Sequence, residues 1–294
     1  MTTLPFDDAE IRRRLAFATE IATIAGRKLL DLRRAGRWTD EVVLGDVGDH
    51  LADAFLQGAL LGRYPDDGVL SEETKDSPER LGRSCVWIVD PLDGTKEYRS
   101  GRHDWAVHVG LAVEGAPVLG VVAMPAIDRV IVGTCSPAPA ILRVQRHPAM
   151  GERGPTATPG FGEDFVREAN TTRPLRFAVS RSHTPPWVEA FARDLAGASG
   201  VELVPTGSVG CKVGLLLLGG ADVYVHDKGL KEWDTLAPEV VARAAGWSVC
   251  RLDGTAHRYN APDPRNDELV VCRTELLPRV LAALARHAPR LQSR

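Results

Sequence analysis

The sequence lacks several features that define whole classes of protein. Its five cysteines are scattered, odd in number and without a CxxC pair, which argues against a zinc cluster and a disulfide framework. The longest apolar run, residues 213–220, is too short to span a bilayer. Residues 1–8 lack the basic start and apolar segment of a secretory signal. We therefore expect a cytoplasmic protein that does not bind membranes.

The chain also lacks a strong excess of charge of either sign. Lys and Arg number 36 against 39 Asp and Glu, so the formal net charge is −3. This balance does not favour binding to nucleic acid or to an acidic membrane. An anionic substrate would instead need metal ions and a few local Arg or Lys side chains. The 294 residues, 44% of them hydrophobic, suit a globular protein with two subdomains.

What the sequence does contain is an apolar run that ends in two carboxylates. Residues 85–89 are typical of a strand buried on both faces, and they lead into Asp90-Pro91-Leu92-Asp93-Gly94-Thr95. Carboxylates at such a place are costly unless a metal ion neutralises them. Pro91 predicts a stiff turn, Gly94 allows close approach to a ligand, and Thr95 can start a helix whose N–H groups face an anion. The alternative is an ordinary polar turn.

Three further carboxylates lie at the ends of predicted elements. A short strand over residues 69–71 leads to Glu72, and Asp49 lies in the first turn of a helix predicted to begin near Asp46. Asp234 starts a predicted helix over residues 235–245. Each has an ordinary explanation: the helix dipole favours Asp49, an N-cap accounts for Asp234, and exposed loop glutamates are common.

The hydrophobic pattern changes character along the chain. Residues 11–32 carry a helical apolar stripe with the arginines 12–14 on the solvated side, and residues 105–144 predict an antiparallel meander. Strands and helices alternate after residue 173, which is typical of a layered α/β half. We predict an α+β metal-binding subdomain over 1–145, a Pro/Gly-rich connection over 146–172, and an α/β subdomain over 173–294 that supplies Asp234 and the substrate contacts.

Three motifs together carry a resemblance to a known family. The chain resembles the inositol monophosphatase superfamily and, within it, the CysQ-type 3′(2′),5′-bisphosphate nucleotidases in their actinobacterial form, over roughly residues 10–290. The motifs are Leu70-Ser71-Glu72-Glu73, Trp87-Ile88-Val89-Asp90-Pro91-Leu92-Asp93-Gly94-Thr95-Lys96-Glu97 and Trp233-Asp234-Thr235-Leu236-Ala237-Pro238-Glu239. Residues 104–108 and residues 252–254 with 258–260 are similar to the actinobacterial form. The resemblance implies the layered αβαβα sandwich of the inositol monophosphatase and fructose-1,6-bisphosphatase type.

The resemblance also implies a site for two or three Mg²⁺ ions. Glu72, Asp90 and the backbone carbonyl of Leu92 would hold one ion. Asp90, Asp93 and Asp234 would hold a second, with Asp90 bridging the two.

Catalytic roles follow from the same resemblance. Glu72 and Thr95 would orient and deprotonate a water, while Asp49 would hold the Thr95 hydroxyl in position. The backbone N–H groups of Gly94 and Thr95 would bind the phosphate. The family places Thr-Ala-Asp where this chain has Val47-Gly48-Asp49, so the Asp is retained and the Thr is not.

Contacts with the rest of the substrate are implied for residues after the strands of the second half. Arg181 would meet a second phosphate or stack on a base, and Asp227 would contact a sugar hydroxyl. Taken alone, each cation is equally typical of a solvated surface. The remaining implied contacts are Ser180, His183, Ser208, Lys212, Lys231 and Asp234.

The implied function is a phosphoric monoester hydrolase, inhibited by Li⁺, acting on a small phosphate ester. Mg²⁺-dependent removal of the 3′-phosphate from adenosine 3′,5′-bisphosphate would give AMP and recycle a by-product of sulfate assimilation. Inositol monophosphatase or fructose-1,6-bisphosphatase activity is an alternative, since fold does not decide substrate. A non-catalytic metal- or nucleotide-binding protein is a second alternative. Members of the superfamily are monomers or homodimers.

Overall fold

In the computed structural model, the chain folds into five layers in which helices and sheets alternate. The structure describes residues 5–135, 138, 140–146, 173–182 and 184–292. Apart from residue 146, the predicted Pro/Gly-rich connection lies outside the described residues, so that prediction stays open.

Two long helices form the first layer. Helix α1 spans Asp8–Arg34 and helix α2 spans Glu41–Arg63. The sequence predicts that α2 begins near Asp46, and this is wrong because Asp40 caps the helix earlier by accepting hydrogen bonds from the N–H groups of Val42 and Val43. Asp49 therefore lies in the helix interior, where the dipole of a first turn does not explain it.

Arg14 departs from its predicted place on the solvated side of α1. Only 8% of the residue is exposed, and its guanidinium pairs with Asp67 and lies 4.2 Å from the ring centroid of Tyr64. Asp67 also accepts a 2.8 Å hydrogen bond from the indole of Trp87. Arg14 is buried because an acidic partner and an aromatic face both lie within its reach.

The second layer is a six-stranded sheet with its strands in chain order. Strands β1 and β2 are parallel and the remaining pairs are antiparallel, which confirms the predicted meander. Strand β2 runs beyond the predicted end at residue 89 with an irregular register between Asp90 and Asp93, and the five-residue helix α3, Thr95–Arg99, follows it. The strands are β1 (Gly68–Ser71), β2 (Cys85–Asp93), β3 (Ala106–Val113), β4 (Ala116–Met124), β5 (Arg129–Thr134) and β6 (Ile141–Gln145).

The second half alternates strands and helices, as the sequence predicts. Its sheet has the order β10-β11-β9-β7-β8, in which β9, β7 and β8 are parallel and the other pairs are antiparallel. In chain order the elements are β7 (Leu175–Ser180), α4 (Pro186–Ala196), β8 (Val201–Thr206), α5 (Val209–Leu217), β9 (Val223–His226), α6 (Glu232–Ala244), β10 (Trp247–Cys250), β11 (Leu269–Arg273), α7 (Leu277–His287) and α8 (Pro289–Gln292).

Helices α5 and α6 form the layer between the two sheets. Their apolar residues share one core with Val122 and Ile131 of the first sheet and Val271 of the second. Gly120 lets α6 pack directly on β4, since a Cβ there would lie 2.7 Å from the carbonyl oxygen of Ala237. Helices α1 and α2 cover the outer face of the first sheet, and α4 and α7 cover that of the second. The predicted αβαβα sandwich is confirmed, while the predicted domain boundaries stay a prediction.

Two expectations from the sequence concern disulfide bonds and membrane-spanning helices. All five cysteines are buried and free of disulfides. In the portion that the structure describes, no helix combines the length and apolar character needed to cross a bilayer.

Candidate active site

Carboxylates from β1, β2 and α6 converge at one edge of the first sheet. Because β1 and β2 are parallel and Ser71 pairs with Val89, the next residues, Glu72 and Asp90, leave that edge side by side. Asp234 is the third residue of α6, and its helix reaches the same edge because Leu70, Ile88 and Leu236 are buried in one cluster. Packing between the two halves thus brings together groups that are far apart in the chain.

Crowding raises the pKa of three of these groups. Burial, followed by the charges of Glu72 and Asp93, raises the pKa of Asp90 well above its usual range. Burial and Asp93 raise the pKa of Asp234 to about 7. The pKa of Glu72 is also raised to about 7, because surrounding protein limits its hydration and Asp234 faces it, although its side chain lies at the solvent-open edge.

Asp93 behaves differently because it has donors around it. Burial alone would raise its pKa, but His108, Ser208 and the N–H of Gly210 outweigh that effect and lower it. The Ser208 hydroxyl and the Gly210 N–H both donate to Oδ2 of Asp93, the latter at 2.8 Å. Asp93 is therefore the group most readily ionised in this cluster.

The donor set fits a divalent cation. One ligand atom each of Asp90, Asp93 and His108 lies within 4.8 Å of the others. Within the described ranges, no Lys or Arg forms an ion pair with Glu72, Asp90 or Asp234. Carboxylates whose pKa values are raised by burial and by mutual repulsion bind a hard cation strongly, because the ion neutralises their charges and prefers oxygen ligands. A buried acidic cluster able to bind metal therefore occupies this edge.

Thr95 connects the acidic cluster to α2. Its hydroxyl lies 3.4 Å from Oδ1 of Asp49 and 3.2 Å from the carbonyl oxygen of Leu92. Burial, and then the charges of Glu73 and Glu72, raise the pKa of Asp49 to about 8. The N–H of Leu92 in turn donates to Oδ1 of Asp90 at 3.0 Å. The chain between Asp90 and Thr95 is thus held by its own hydrogen bonds.

Gly48 accounts for part of the departure from the family pattern. A Cβ at this position would lie 3.1 Å from Tyr98 Cε1 and 3.3 Å from the side chains of Leu29 and Leu92. An alanine here would require its neighbours to shift, so glycine suits the close packing of α2 against the segment before Thr95.

Gly94 lies between the two halves of the site. Its φ of 92° is in the left-handed region, and a Cβ there would lie 3.3 Å from the carbonyl oxygen of Asp104 and from Cβ of Ser208. Glycine is therefore required at this position for both conformation and space.

Arg181 lies at the rim of a cavity of about 470 Å³, together with Arg102 and Thr206. Its guanidinium donates to Oδ2 of Asp104 at 2.6 Å, while Oδ1 of Asp104 accepts from Arg102 at 3.1 Å. The N–H of Gly207 also donates to Asp104, so this carboxylate ties two arginines to the segment before α5.

Two further predicted contacts lie on a second cavity. Ser180 and Asp227 line a cavity of about 190 Å³, and Asp227 accepts a 3.0 Å hydrogen bond from the indole of Trp187. His183, predicted with Ser180, lies outside the described residues.

The two predicted lysine contacts have different surroundings. Lys212 is buried, with Nζ donating to the Ser208 carbonyl at 2.9 Å and lying 5.4 Å from the ring centroid of Tyr224. Burial lowers its pKa. Lys231 precedes α6, and its backbone N–H donates to Oδ2 of Asp234 at 2.7 Å, so Asp234 caps the helix from its third position rather than as the N-cap.

Sequence reasoning missed two polar residues around the acidic cluster. Asp53 accepts hydrogen bonds from the hydroxyls of Ser71 and Thr74, on either side of Glu72, at 2.5 and 2.7 Å. His108 is fully buried beside Asp93. The available signal for His108 is a single ionisable residue in the otherwise apolar strand β3; nothing local marks Asp53.

Comparison with known proteins places this fold and site in context. The chain matches the Inositol monophosphatase family over residues 11–290. It is similar to a Mycobacterium leprae protein named 3′-phosphoadenosine 5′-phosphate phosphatase, at 37% identity over 272 residues and 92% of each chain.

Solved structures agree with this placement. CysQ from Bacteroides thetaiotaomicron is 28% identical, with a TM-score of 0.67 over 89% of this chain and 97% of that one. Inositol monophosphatase-II from Staphylococcus aureus shares the fold at 18% identity, with a TM-score of 0.72 over 95% and 98% of the two chains. Since the family match covers nearly the whole sequence, the chain belongs to the inositol monophosphatase family.

Proposed function

We propose that this protein is a Mg²⁺-dependent phosphatase that removes the 3′-phosphate of adenosine 3′,5′-bisphosphate and releases AMP. The observation that carries the chemistry is the convergence of Glu72, Asp90 and Asp234 beside Asp93 without a Lys or Arg ion pair to the first three in the described part of the chain. The name of the M. leprae relative supports the choice of substrate. The reaction would recycle a by-product of sulfate assimilation by releasing it as AMP.

The proposed metal ligands divide into two overlapping sets. Glu72, Asp90 and the carbonyl of Leu92 form one, and Asp90, Asp93 and Asp234 form the other, for two or three Mg²⁺ ions. When bound, Mg²⁺ supplies positive charge that lowers the pKa of a water and offsets charge on the phosphate. Carboxylate and carbonyl oxygens are the ligands that this ion prefers.

The chain's own residues position the attacking water and the phosphate. Asp49 accepts from the Thr95 hydroxyl, which turns the lone pairs of Thr95 Oγ1 toward the water. Glu72 takes the proton of the water as a bond forms from the water oxygen to phosphorus. The N–H groups of Gly94 and Thr95 bind the phosphate oxygens. The bond from phosphorus to the ribose 3′ oxygen breaks, and that oxygen takes up a proton from water.

The proposed substrate contacts beyond the phosphate include Arg181 and Ser180, which line the two cavities. Arg181 would bind a second anionic group, with Ser180, Ser208 and Lys212 contributing to the nucleotide side of the site. His183 and Lys231 complete the proposed set, and Asp234 contributes as both metal ligand and substrate contact. The proposed partner is a small phosphate ester.

Substrate comparison tests this function directly. With Mg²⁺ present, we expect kcat/KM for adenosine 3′,5′-bisphosphate to exceed the values for inositol 1-phosphate and fructose 1,6-bisphosphate by at least about 10-fold, or about 1.4 kcal/mol. A clear preference for either of the other compounds would contradict the nucleotidase assignment. Absence of turnover for all three would favour the non-catalytic binding protein.

A further inference from the structure

A buried histidine joins the two parts of the acidic cluster. His108 is fully buried in β3, and the register of β2 and β3 pairs it with Asp90. Its ring Nε2 lies 3.1 Å from Oδ2 of Asp93, a close contact that does not have hydrogen-bond geometry. Its ring Nδ1 lies 3.2 Å from the carbonyl oxygen of Trp233, the residue before Asp234. One imidazole therefore contacts β2 on one side and the first turn of α6 on the other.

The contact with Trp233 defines the role of Nδ1. A backbone carbonyl only accepts hydrogen bonds, so Nδ1 carries hydrogen and donates. The ring plane is thereby fixed, and Nε2 is directed at the Asp93 carboxylate. Nδ1 cannot turn away from the Trp233 carbonyl without losing its buried partner, which is costly in a site closed to water.

Space for this ring depends on Gly210. A Cβ at Gly210 would lie 2.2 Å from Nε2 of His108. The N–H of Gly210 and the hydroxyl of Ser208 donate to the same Asp93 oxygen that Nε2 approaches. Two hydrogen bonds and the contact with Nε2 thus surround Oδ2, while Oδ1 of Asp93 accepts no hydrogen bond from the described residues.

We propose that His108 is a positioning residue that sets the spacing and orientation of Asp93 relative to Asp234. Because it packs against Oδ2 of Asp93 and donates to the Trp233 carbonyl, it fixes the separation of the two segments and leaves Oδ1 of Asp93 available as a ligand. The inference rests on the proposed function, in which Asp93 and Asp234 bind the same Mg²⁺.

The protein contains a matched control in His257. This histidine is also fully buried, with Nδ1 2.7 Å from a carboxylate oxygen of Glu239 and Nε2 2.7 Å from the carbonyl oxygen of Glu268. Like His108, it lies between a carboxylate and a backbone carbonyl, but Glu239 is not one of the proposed ligands. Loss of the His257 imidazole removes two buried hydrogen bonds, against one for His108, so a general loss of stability should be at least as large in the control.

The test compares His108→Asn with His257→Asn by thermal unfolding of EDTA-treated protein titrated with Mg²⁺ alone. We expect both variants to lower Tm without metal, because both leave buried groups unpaired. Only His108→Asn should raise the Mg²⁺ concentration for half-maximal stabilisation, by about 10- to 100-fold, as loss of a residue that orients a ligand does. In turnover assays, it should lower kcat at limiting Mg²⁺ more than it raises KM for the substrate.

A second variant covers the case in which His108→Asn does not fold. Gly210→Ala keeps the imidazole but displaces it, and it should also raise the Mg²⁺ midpoint. An unchanged midpoint in the folded His108 variant, or an equal shift in His257→Asn, would overturn the inference. If His108→Asn lost Mn²⁺ or Zn²⁺ binding while its Mg²⁺ midpoint stayed unchanged, the inference would also be overturned, since His108 would then be a metal ligand itself.

The wild-type protein separates this inference from the function on which it rests. If wild-type protein shows neither Mg²⁺-dependent stabilisation nor hydrolysis, the proposed function fails and the role of His108 fails with it. If wild-type protein binds Mg²⁺ and hydrolyses the bisphosphate while His108→Asn keeps the same midpoint, only the role of His108 is wrong.

Discussion

The hydroxyl of Thr95 lies 3.4 Å from Oδ1 of Asp49, and this contact joins the end of β2 to the interior of α2. It forms because Asp49 lies on the buried face of α2, which packs against the segment around Thr95. The carboxylate is kept from solvent, so its pKa rises to about 8. The Thr95 side chain is therefore held between α2 and the end of β2.

Thr95→Ala should lower kcat for adenosine 3′,5′-bisphosphate by about 10²- to 10⁴-fold, the usual contribution of a group that positions proton transfer. The hydroxyl is lost, so the attacking water would no longer be oriented. Steady-state kinetics at saturating Mg²⁺ measure the effect. Thr95→Ser is the matched control, because it keeps the hydroxyl and should retain most activity. Similar kcat values for the alanine and serine variants would contradict the role of Thr95.

Asp90→Asn should abolish turnover and at the same time stabilise the protein without metal. Asp90 is 1% exposed and surrounded by other carboxylates, so a neutral amide removes a buried charge and its repulsion. The amide oxygen can still accept from the N–H of Leu92. We expect a higher Tm in EDTA at pH 8 and a smaller stabilisation by Mg²⁺ than in the wild type. Turnover at the wild-type rate would remove the metal mechanism.

The stability of the metal-free protein should fall as pH rises. Asp49 and Asp234 have folded-state pKa values of about 8 and about 7, above those of the unfolded chain. Between about pH 4 and about pH 8, the folded state therefore binds more protons, and its advantage is lost as pH rises through the folded-state pKa values. Tm in EDTA should decline over this range. The difference in Tm between the wild type and Asp234→Asn should decline with it, because the variant lacks one of these groups.

Magnesium should reverse this trend, because it binds the ionised carboxylates. The gain in Tm from a fixed millimolar Mg²⁺ supply is expected to grow from about pH 5 to about pH 8. A gain that is independent of pH would mean that the ion does not displace protons from these groups.

Arg181 provides a test of substrate charge. Arg181→Met should lower kcat/KM for adenosine 3′,5′-bisphosphate by about 10- to 100-fold, the range for a hydrogen bond to a charged group. The loss for adenosine 3′-monophosphate should stay below about 3-fold, since that compound lacks the second phosphate. Arg176→Met is the control, because Arg176 lies on β7, the strand that leads to Arg181, and pairs with Glu202 at 2.7 Å. Equal losses of kcat/KM for both substrates would show that Arg181 stabilises the fold and does not bind the second phosphate.

Asp53 controls the segment that carries Glu72. Asp53→Ala leaves the hydroxyls of Ser71 and Thr74 without their acceptor and should cost about 1–3 kcal/mol of unfolding free energy. Because those hydroxyls lie on either side of Glu72, we also expect a higher Mg²⁺ requirement for activity. Thr74→Val removes one of the two contacts and should show a smaller change in both measurements. An unchanged Mg²⁺ requirement in Asp53→Ala would limit this residue to stability.

Most elements of the fold were predictable because their signals are local. The apolar run of β2, the alternation in β3 to β5 and the helical stripes each extend over neighbouring residues. The start of α2 was not, since a single cap at Asp40 outweighed the glycines that follow it. Arg14 was also misplaced, because its partner Asp67 is distant in sequence.

The metal-ligand candidates could be selected from the sequence for a similar reason. Glu72 follows the apolar strand β1, Asp90 and Asp93 lie in the last part of β2, and their motifs are short and contiguous. The surroundings of the candidate substrate-contacting residues could not be predicted in this way. Whether Lys212 is solvated or buried, and which carboxylate meets Arg181, depends on how α5 and β7 pack against distant segments.

The sequence by itself determined the order of strands and helices, their apolar faces and the presence of carboxylates at the ends of β1 and β2. These features follow from side-chain pattern and backbone preference over a few residues. Only the tertiary structure decided that His108 meets Asp93 and the carbonyl of Trp233, and that Gly210 leaves room for the ring. Contacts between segments more than a hundred residues apart depend on packing of the layers, which no local pattern specifies.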